Sequence, residues 1–588
     1  MGLLAFNRLM PMQRGRRRRP TQGRNGSVTS VAKRKDSHDD NSRSHKKLRY
    51  SGPSLPEAVW HHIHSLLPLR DAARVACVSH SFRRSWRCLP NLSLTRETLG
   101  LKGGVGGISS KIALDLAKRT DHILKNHSGV GVKALKLEIR EFPFFSTSCD
   151  DLNRWLGIAV RPGIEELYLQ LHSSHADVYN FPCTLLLDGS GKSIRHLHLG
   201  ECAFRPTAGV GCLRSLTSLE LYDVHITGDE LMCLLSSSVA LEKLTLAYCD
   251  ELIFLEIPSL LQRLSHLVVH DCLNLEVIKN KAPYLYSFEY GGALVRLSLG
   301  VSLQNLDIDA SGWDVIHYAG AKLPCMVPNL EALNIHSSYV RDILVVPGKF
   351  LHLQHLCIGT FTPDYDYFSL VSFLDACPSL ETFILSAEPD CMEQESVLGD
   401  SFHDLRQMPG HMHRNIKDVQ IIGFCSAKSM VELTCHILQN SKLLKRLKLS
   451  TCYNGEILCS YNNNGKCLPM SRGMMMEAHK ALLAVERYIL GKVPSTVDNT
   501  YYSSPEPQLA HQERSIAISI RKGSSSKRCR SRRDATAAYT DLHIRLLPAC
   551  SSSYAPSRSA NATTTDMDLR PRLPLQITIE TATHTAYQ

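Results

Sequence analysis

The sequence predicts an α/β chain: a short three-helix block, then a curved solenoid of leucine-periodic repeats sharing one parallel sheet, with disordered ends. Three observations predict it. The stretch from Leu55 to Trp86 is apolar at helical spacing but too short to enclose a core of its own. Behind it the pattern apolar-x-x-apolar-x-apolar recurs thirteen times. Outside residues 51–498 large apolar residues thin out, and such segments cannot bury enough surface to offset their ordering entropy.

The leader comes first. Residues 1–50 hold 14 Lys/Arg against 3 Asp/Glu, whereas 51–498 hold 41 against 46. The formal +11 therefore sits at the ends, and the folded part is slightly acidic. A repeat surface for nucleic acid would show a basic face, so no nucleic-acid partner is expected. The clusters Arg16–Arg19, Lys33–Lys35 and Lys46–Arg49 fit a nuclear-import signal. No acid precedes Asp36, which leaves a mitochondrial transit peptide open; an unstructured leader without an address is the third reading. The apolar run Gly2–Phe6 is too short for a secretory signal, and Phe6 stands where myristoylation requires Ser or Thr. No stretch approaches the ~18 apolar residues that span a membrane. The expectation is a soluble nuclear and/or cytoplasmic protein with no membrane partner.

In the helical block, Pro56 suits a first-turn position, and Trp60, Ile63 and Leu67 then share one face. Pro68 ends that helix. Asp71 can cap a second helix carrying Val75, Ala76 and Val78, and Ser79 a third with Phe82 and Trp86 four apart. Some of these apolar side chains must be covered by something outside the block.

The repeats begin at Val132-x-x-Leu135-x-Leu137 and continue from Ile164, Ile194, Leu216, Leu241, Leu264, Leu285, Leu303, Leu330, Leu353, Leu380, Ile416 and Leu444. Most spacings lie between 18 and 30 residues, the leucine-rich-repeat range. The period of two turns both leucines of each segment inward and the intervening residues outward, onto the concave face. Of those, Tyr168, Gln170, Tyr222, Asp307 and Asn334 are the candidate target contacts. Nine positions into a repeat the template wants Asn or Cys to satisfy the turn backbone; Cys202, Cys249, Cys272 and Cys452 stand there as a structural ladder. A closing helix, apolar at Ala481, Val485 and Ile489, would cover the open end of the array. Residues 499–588 show no sustained period and read as a disordered tail or an extension foreign to the fold.

Chemistry-bearing motifs are sparse. DGSGKS at 188–193 lacks the phosphate-loop glycine, since Leu186 stands there, and it leads into a strand rather than a helix. GGVGG at 103–107 is a linker. His196, His198, His266, His270, His336 and His355 recur on the outward face, but on repeats mostly not adjacent, so no metal site or cofactor is expected. The 20 cysteines include no Cys-x-x-Cys; the nearest pair, Cys452 and Cys459, are seven apart, as for reduced thiols. No Ser-His-Asp or Cys-His arrangement is evident, and no catalytic residue is assigned.

The opening LP, the LPLRDAAR turn, the CVS and the closing FRRSW resemble an F-box. The segments HRNIKDVQIIGF, LLKRLKLSTC and VERYILGKVPSTV, with DHILKNHSGVGVKALKLEI upstream, resemble the plant F-box/leucine-rich-repeat family with an FBD-like C-terminal region. That resemblance implies a basic leader at 1–50, an F-box at 51–95, linker helices at 96–130, leucine-rich repeats at 131–410, FBD-like terminal repeats and capping helix at 411–498, and the tail at 499–588. It further implies a non-catalytic substrate-recognition subunit of an SCF-type ubiquitin ligase. Such a subunit would bind a Skp-type adaptor, and a cullin through it, by Leu55, Pro56, Ile63, Leu66, Leu67, Pro68, Leu69, Val75 and Val78. The repeats would bind a target protein. The alternative is a repeat scaffold without a ligase role, in which Leu55 and Leu66–Leu69 would be covered by the chain's own repeats.

Overall fold

A computed structural model describes residues 56–78, 83, 85–101, 110–128, 131–139, 149–171, 178–187, 189–206, 213–293, 295–310, 314–337, 346–360, 365–387, 395–399, 404–408, 412–451 and 472–492. It also describes the backbone of three segments of the tail, Arg514–Lys522, His543–Pro548 and Leu575–Thr581, all strands. The leader and most of the tail lie outside the described residues, as do Leu55, Phe82 and Cys452. The chain forms two compact units, 1–202 and 203–588.

In the first unit, helices α1 (Glu57–Ser65) and α2 (Leu69–Ala76) begin at Pro56 and Pro68. Both prolines occupy the residue before the first turn, where a fixed φ and a missing N–H do no harm. Asp71 is not the cap; it lies in the first turn of α2 and pairs with Arg74 at 2.7 Å. The third expected helix falls largely outside the described residues. Leu69, Ala72, Ala73 and Ala76 are buried, and α2 packs on strand β1 (Asn91–Leu94). Buried His64 pins the two helices, its Nε2 3.0 Å from the Ala72 carbonyl.

Strand β1 heads a parallel sheet with β2 (Ala134–Glu138), β3 (Glu166–Gln170) and β4 (His196–Ala203). Their leucines align in two inward rows, Leu92–Leu135–Leu167–Leu197 and Leu94–Leu137–Leu169–Leu199. The sheet thus starts one strand earlier than the sequence reading placed it. Helices α3 (Ser110–Asn126) and α4 (Cys149–Ala159) pack together, joined by Arg154 to Asp121 at 2.6 Å. His127, just past α3, is buried with Nε2 3.0 Å from the Leu89 carbonyl, and burial lowers its pKa from 6.5. The unfolded chain therefore takes up this proton at a higher pH than the folded one, so stability falls as pH drops through 6.5. His127→Gln should flatten that fall; urea midpoints at stepped pH, showing equal slopes for parent and variant, would refute it.

In the second unit the parallel order is β5 (Ser218–His225), β6 (Lys243–Ala247), β8 (His266–His270), β10 (Ser287–Gly292), β12 (Asn305–Ala310), β13 (Ala332–Ser337), β14 (His355–Thr360), β15 (Thr382–Ala387), β16 (Asp418–Ile422) and β17 (Arg446–Ser450). With β2, β3 and β4, each of the thirteen sequence repeats has its strand. What covers the other side of the core follows repeat length. Between Leu241 and Leu303 the spacings are only 23, 21 and 18, and the return runs are strands β7 (Phe254–Ile257), β9 (Val277–Asn280) and β11 (Arg296–Ser298), paired as a second parallel sheet. The longer repeats return through helices α5 (Gly228–Ser237), α6 (Val315–Met326), α7 (Val371–Asp375) and α8 (Lys428–Asn440). A helix advances ~1.5 Å per residue and a strand ~3.3 Å, so a helix needs more residues to return the same distance. A full capping box, Thr227 with Glu230, starts α5.

Three of the four ladder cysteines lie among the described residues. Cys202, Cys249 and Cys272 are buried, and the residue before each, Glu201, Tyr248 or Asp271, has positive φ; Tyr248 and Asp271 directly follow their strands. Cys249 Sγ donates to Leu221 O at 3.8 Å and Ala247 O at 3.5 Å; Cys272 Sγ donates to His270 O at 3.5 Å. A hydrogen bond with Cys272, together with burial, holds the Cys249 thiol well above its usual range. A second ladder, unforeseen in the sequence, stands just ahead of the repeat leucines. Ser302 donates to Leu285 O, Asn329 to Val301 O, Ser379 to Leu351 O and Asn415 to Pro378 O, at 2.6–3.1 Å.

The closing helix α9 (Arg472–Ala484) runs into a π turn at Val485–Ile489, with Ala481, Val485 and Ile489 fully buried. That turn packs on α8. The outer edge of β17 is instead met, antiparallel, by the backbone of Leu575–Thr581.

Glycines on the outward face make room for rings from the neighbouring strand. A Cβ at Gly291 would overlap Nδ1 of His270, and one at Gly359 would overlap Nδ1 of His336. Gly359→Ala should cost ~1–3 kcal/mol. Adding His336→Ala should return most of it; urea unfolding of both variants, with equal loss in each, would exclude the ring as the cause.

Candidate functional site

Two surfaces carry the residues singled out in the sequence. The first is the helical block. Val59, Ile63 and Leu66 follow one another at i, i+4 and i+7 along α1 and its C-terminal turn, and are 39%, 38% and 71% exposed; Val78, beyond α2, is 87% exposed. Burying such a stripe is favourable by ~25 cal/mol per Å², and here it faces outward. Pro56 and Pro68 are exposed, and Leu67 and Val75 are half-buried. Leu69 is corrected: at 4% exposure it belongs to the packed face of α2. Trp60 and Leu67, which share the face of Ile63 at i, i+3 and i+7, are half-buried beside this stripe. Val59 itself was missed, although its place four residues before Ile63 was the signal that could have found it.

The second surface is the outward face of the sheet. In the first unit, the Lys136 ammonium sits 4.6 Å above the Tyr168 ring, which stacks on His198 at 4.0 Å with the planes 7° apart. His198 Nε2 lies 3.1 Å from Gln170 Oε1. Gln170 is corrected as a target contact. It is fully buried, folded over Gly200, and its amide nitrogen donates to Leu171 O and Glu201 Oε1. No side-chain periodicity could have shown this, because Gly200 belongs to the next repeat.

In the second unit, Tyr222 is half-buried and meets Tyr248 edge to face at 5.1 Å. Asp307 and Asn334 are brought together on adjacent strands, the amide donating to the carboxylate at 3.1 Å. Burial raises the Asp307 pKa above its ordinary value despite that bond. Tyr222 is four strand steps from Asp307, ~19 Å, so the two cannot act on one small group. His270 Nε2 contacts Glu289 Oε1 at 2.8 Å. Among the described residues no group of His, Cys, Asp or Glu is placed to hold a metal ion. The described residues of this face offer hydrogen bonds, rings and carboxylates spread over many repeats, the chemistry of a protein-binding surface.

Comparison with known proteins fits both surfaces. Residues 53–94 match the F-box domain model, and residues 123–501 match the At1g61320/AtMIF1, LRR domain model. The chain is similar to the F-box/FBD/LRR-repeat protein At3g26920 of Arabidopsis thaliana, 23% identical over 67% of this chain and 88% of that protein. It is also similar to the F-box/FBD/LRR-repeat protein At1g13570 of the same plant, 25% identical over 68% of this chain and 90% of that one. Among solved structures, an internalin from Listeria monocytogenes matches 52% of this chain and 88% of its own, at 13% identity and a TM-score of 0.25.

Proposed function

The chain belongs to the plant-type F-box/leucine-rich-repeat family with an FBD-like C-terminal region, and from that premise we propose that it is the substrate-recognition subunit of an SCF-type ubiquitin ligase. Members of this family are typically non-catalytic adaptors. The F-box docks a Skp-type adaptor, the adaptor brings a cullin, and the repeat sheet holds the target protein. Ubiquitin transfer belongs to the conjugating enzyme of the assembly; this chain supplies proximity, raising the target's effective concentration there. The proposed place of work is the nucleus and/or the cytoplasm, the basic clusters of residues 1–50 fitting a nuclear-import signal.

One observation carries this reading: the Val59–Ile63–Leu66 stripe stands exposed. A scaffold that used its helical block only as internal packing would cover Leu66 to Leu69; Leu69 is buried and Leu67 half-buried, whereas Leu66 is 71% exposed. The test is a pull-down of the full chain with a purified Skp-type adaptor and cullin. Co-elution of both supports the ligase reading; a chain that binds no adaptor returns the reading to a repeat scaffold.

A further inference from the structure

The second unit has a further surface, on the side where the chain enters its strands. Leu285, Leu303, Leu330 and Leu353 are buried anchors of four successive repeats. The residues flanking each anchor form two rows across them. Tyr284, Ser302, Asn329 and His352 precede the leucines; Tyr286, Gln304, Glu331 and Gln354 follow them. Successive members of the second row are joined through the backbone, Gln304 N–H to Tyr286 O at 3.0 Å, Glu331 N–H to Gln304 O at 2.8 Å, and Gln354 N–H to Glu331 O at 2.8 Å. The rows bound a groove of about 480 Å³ lined by Tyr284, Tyr286, Val301, Gln304, Glu331 and His352, among others.

Its composition differs from an ordinary solvated edge. Tyr284 is 67% exposed and Val301 64%, side chains that gain most from being covered. Two tyrosines beside aliphatic carbon are the makeup of a binding hot spot. The polar residues in the groove divide in two. Ser302 and Asn329 are committed to the carbonyls of Leu285 and Val301. Among the described residues, no side-chain hydrogen bond or ion pair engages the Tyr284 hydroxyl, the Gln304 amide or the Glu331 carboxylate. Elsewhere along this strand-entry row carboxylates have cations: Glu242 has Arg263 at 4.0 Å and Glu381 has Lys417 at 2.6 Å.

We propose that this groove docks an extended segment of a partner protein that carries an aliphatic residue beside a lysine or arginine. The aliphatic side chain lies between Tyr284 and Val301, and the cation meets Glu331. Three strand steps span ~14 Å, the length of about four extended residues. The Gln304 amide and the Tyr284 hydroxyl face that segment's backbone. The surface lies apart from the F-box helices in the sequence and in its chemistry, so the proposal holds whether or not the chain works in a ligase.

The probe is a display library of random linear peptides, selected on the intact chain and then on the variants Tyr284→Ala and Glu331→Lys. Peptides selected on the parent should share an aliphatic residue next to Lys or Arg. A synthetic peptide of that consensus should bind at least about tenfold more weakly to each variant. Exchanging its basic residue for Glu should restore binding to Glu331→Lys. Thermal unfolding and adaptor binding of both variants should match the parent, which separates this surface from the F-box. No shared sequence, a consensus without a basic residue, or unchanged affinity in the variants would overturn the proposal.

Discussion

Leu66→Asp should abolish adaptor binding by the full chain while leaving its unfolding midpoint where it was. The side chain is 71% exposed at the end of α1, so a carboxylate there stays hydrated in the free protein. In the complex the same carboxylate would be forced into an apolar interface without a partner, at a cost of several kcal/mol. Affinity should fall by about a hundredfold or more, since each 1.4 kcal/mol is a factor of ten. Titration calorimetry with a purified Skp-type adaptor measures it. Ile63→Asp, on the same stripe, should act alike. Leu69→Asp should instead lower the unfolding midpoint, because Leu69 is core. If Leu66→Asp bound the adaptor like the parent, the exposed stripe would not be the docking face.

Arg406→Met should destabilise the second unit by about 3–5 kcal/mol, because it strands a buried charge. The Glu432 side chain is fully buried on α8, and it accepts from Arg406 twice, from the backbone N–H at 2.8 Å and from Nε at 2.7 Å. The rest of the guanidinium forks onto Asp366 at 2.7 and 2.8 Å and lies 4.9 Å over the Phe368 ring. These hydrogen bonds with Asp366 and Glu432 raise the Arg406 pKa further, so the cation is permanent. Replacing both partners, Arg406→Met with Glu432→Met, should recover much of the loss, as apolar pairs do at buried ion-pair sites. Urea unfolding of the single and double variants decides it. A single-variant loss below about 1 kcal/mol would mean that the carboxylate finds another donor.

The repeats were legible because they need only local information. Two leucines separated by one residue, recurring mostly every 18 to 30, can lie inward on the same side only as strands, and each such segment became one. The cysteines of the ladder were legible for the same reason, having a constant offset from the first leucine. The first strand was not: Leu92 and Leu94 carry the signal, but they follow directly on the helical block and were absorbed into it. The helical return runs were partly legible. Repeat length separates a strand return from a helical one, although only the paired sheet of β7, β9 and β11 makes that visible.

By itself the sequence determined the inward face of every repeat, the family, and the presence of an F-box with more apolar surface than it can bury. Only the tertiary structure decided which outward-pointing side chains stay accessible. Tyr168 and Gln170 are equivalent by period, yet Gln170 is sealed over Gly200 while Tyr168 is stacked on His198 at the surface. Leu66 and Leu69 are three residues apart, yet one is open and the other is packed. Period assigns a side chain to a face, and that is a property of the local backbone. Accessibility depends on what the adjacent strand or helix places opposite it, and those neighbours lie tens of residues away in the chain.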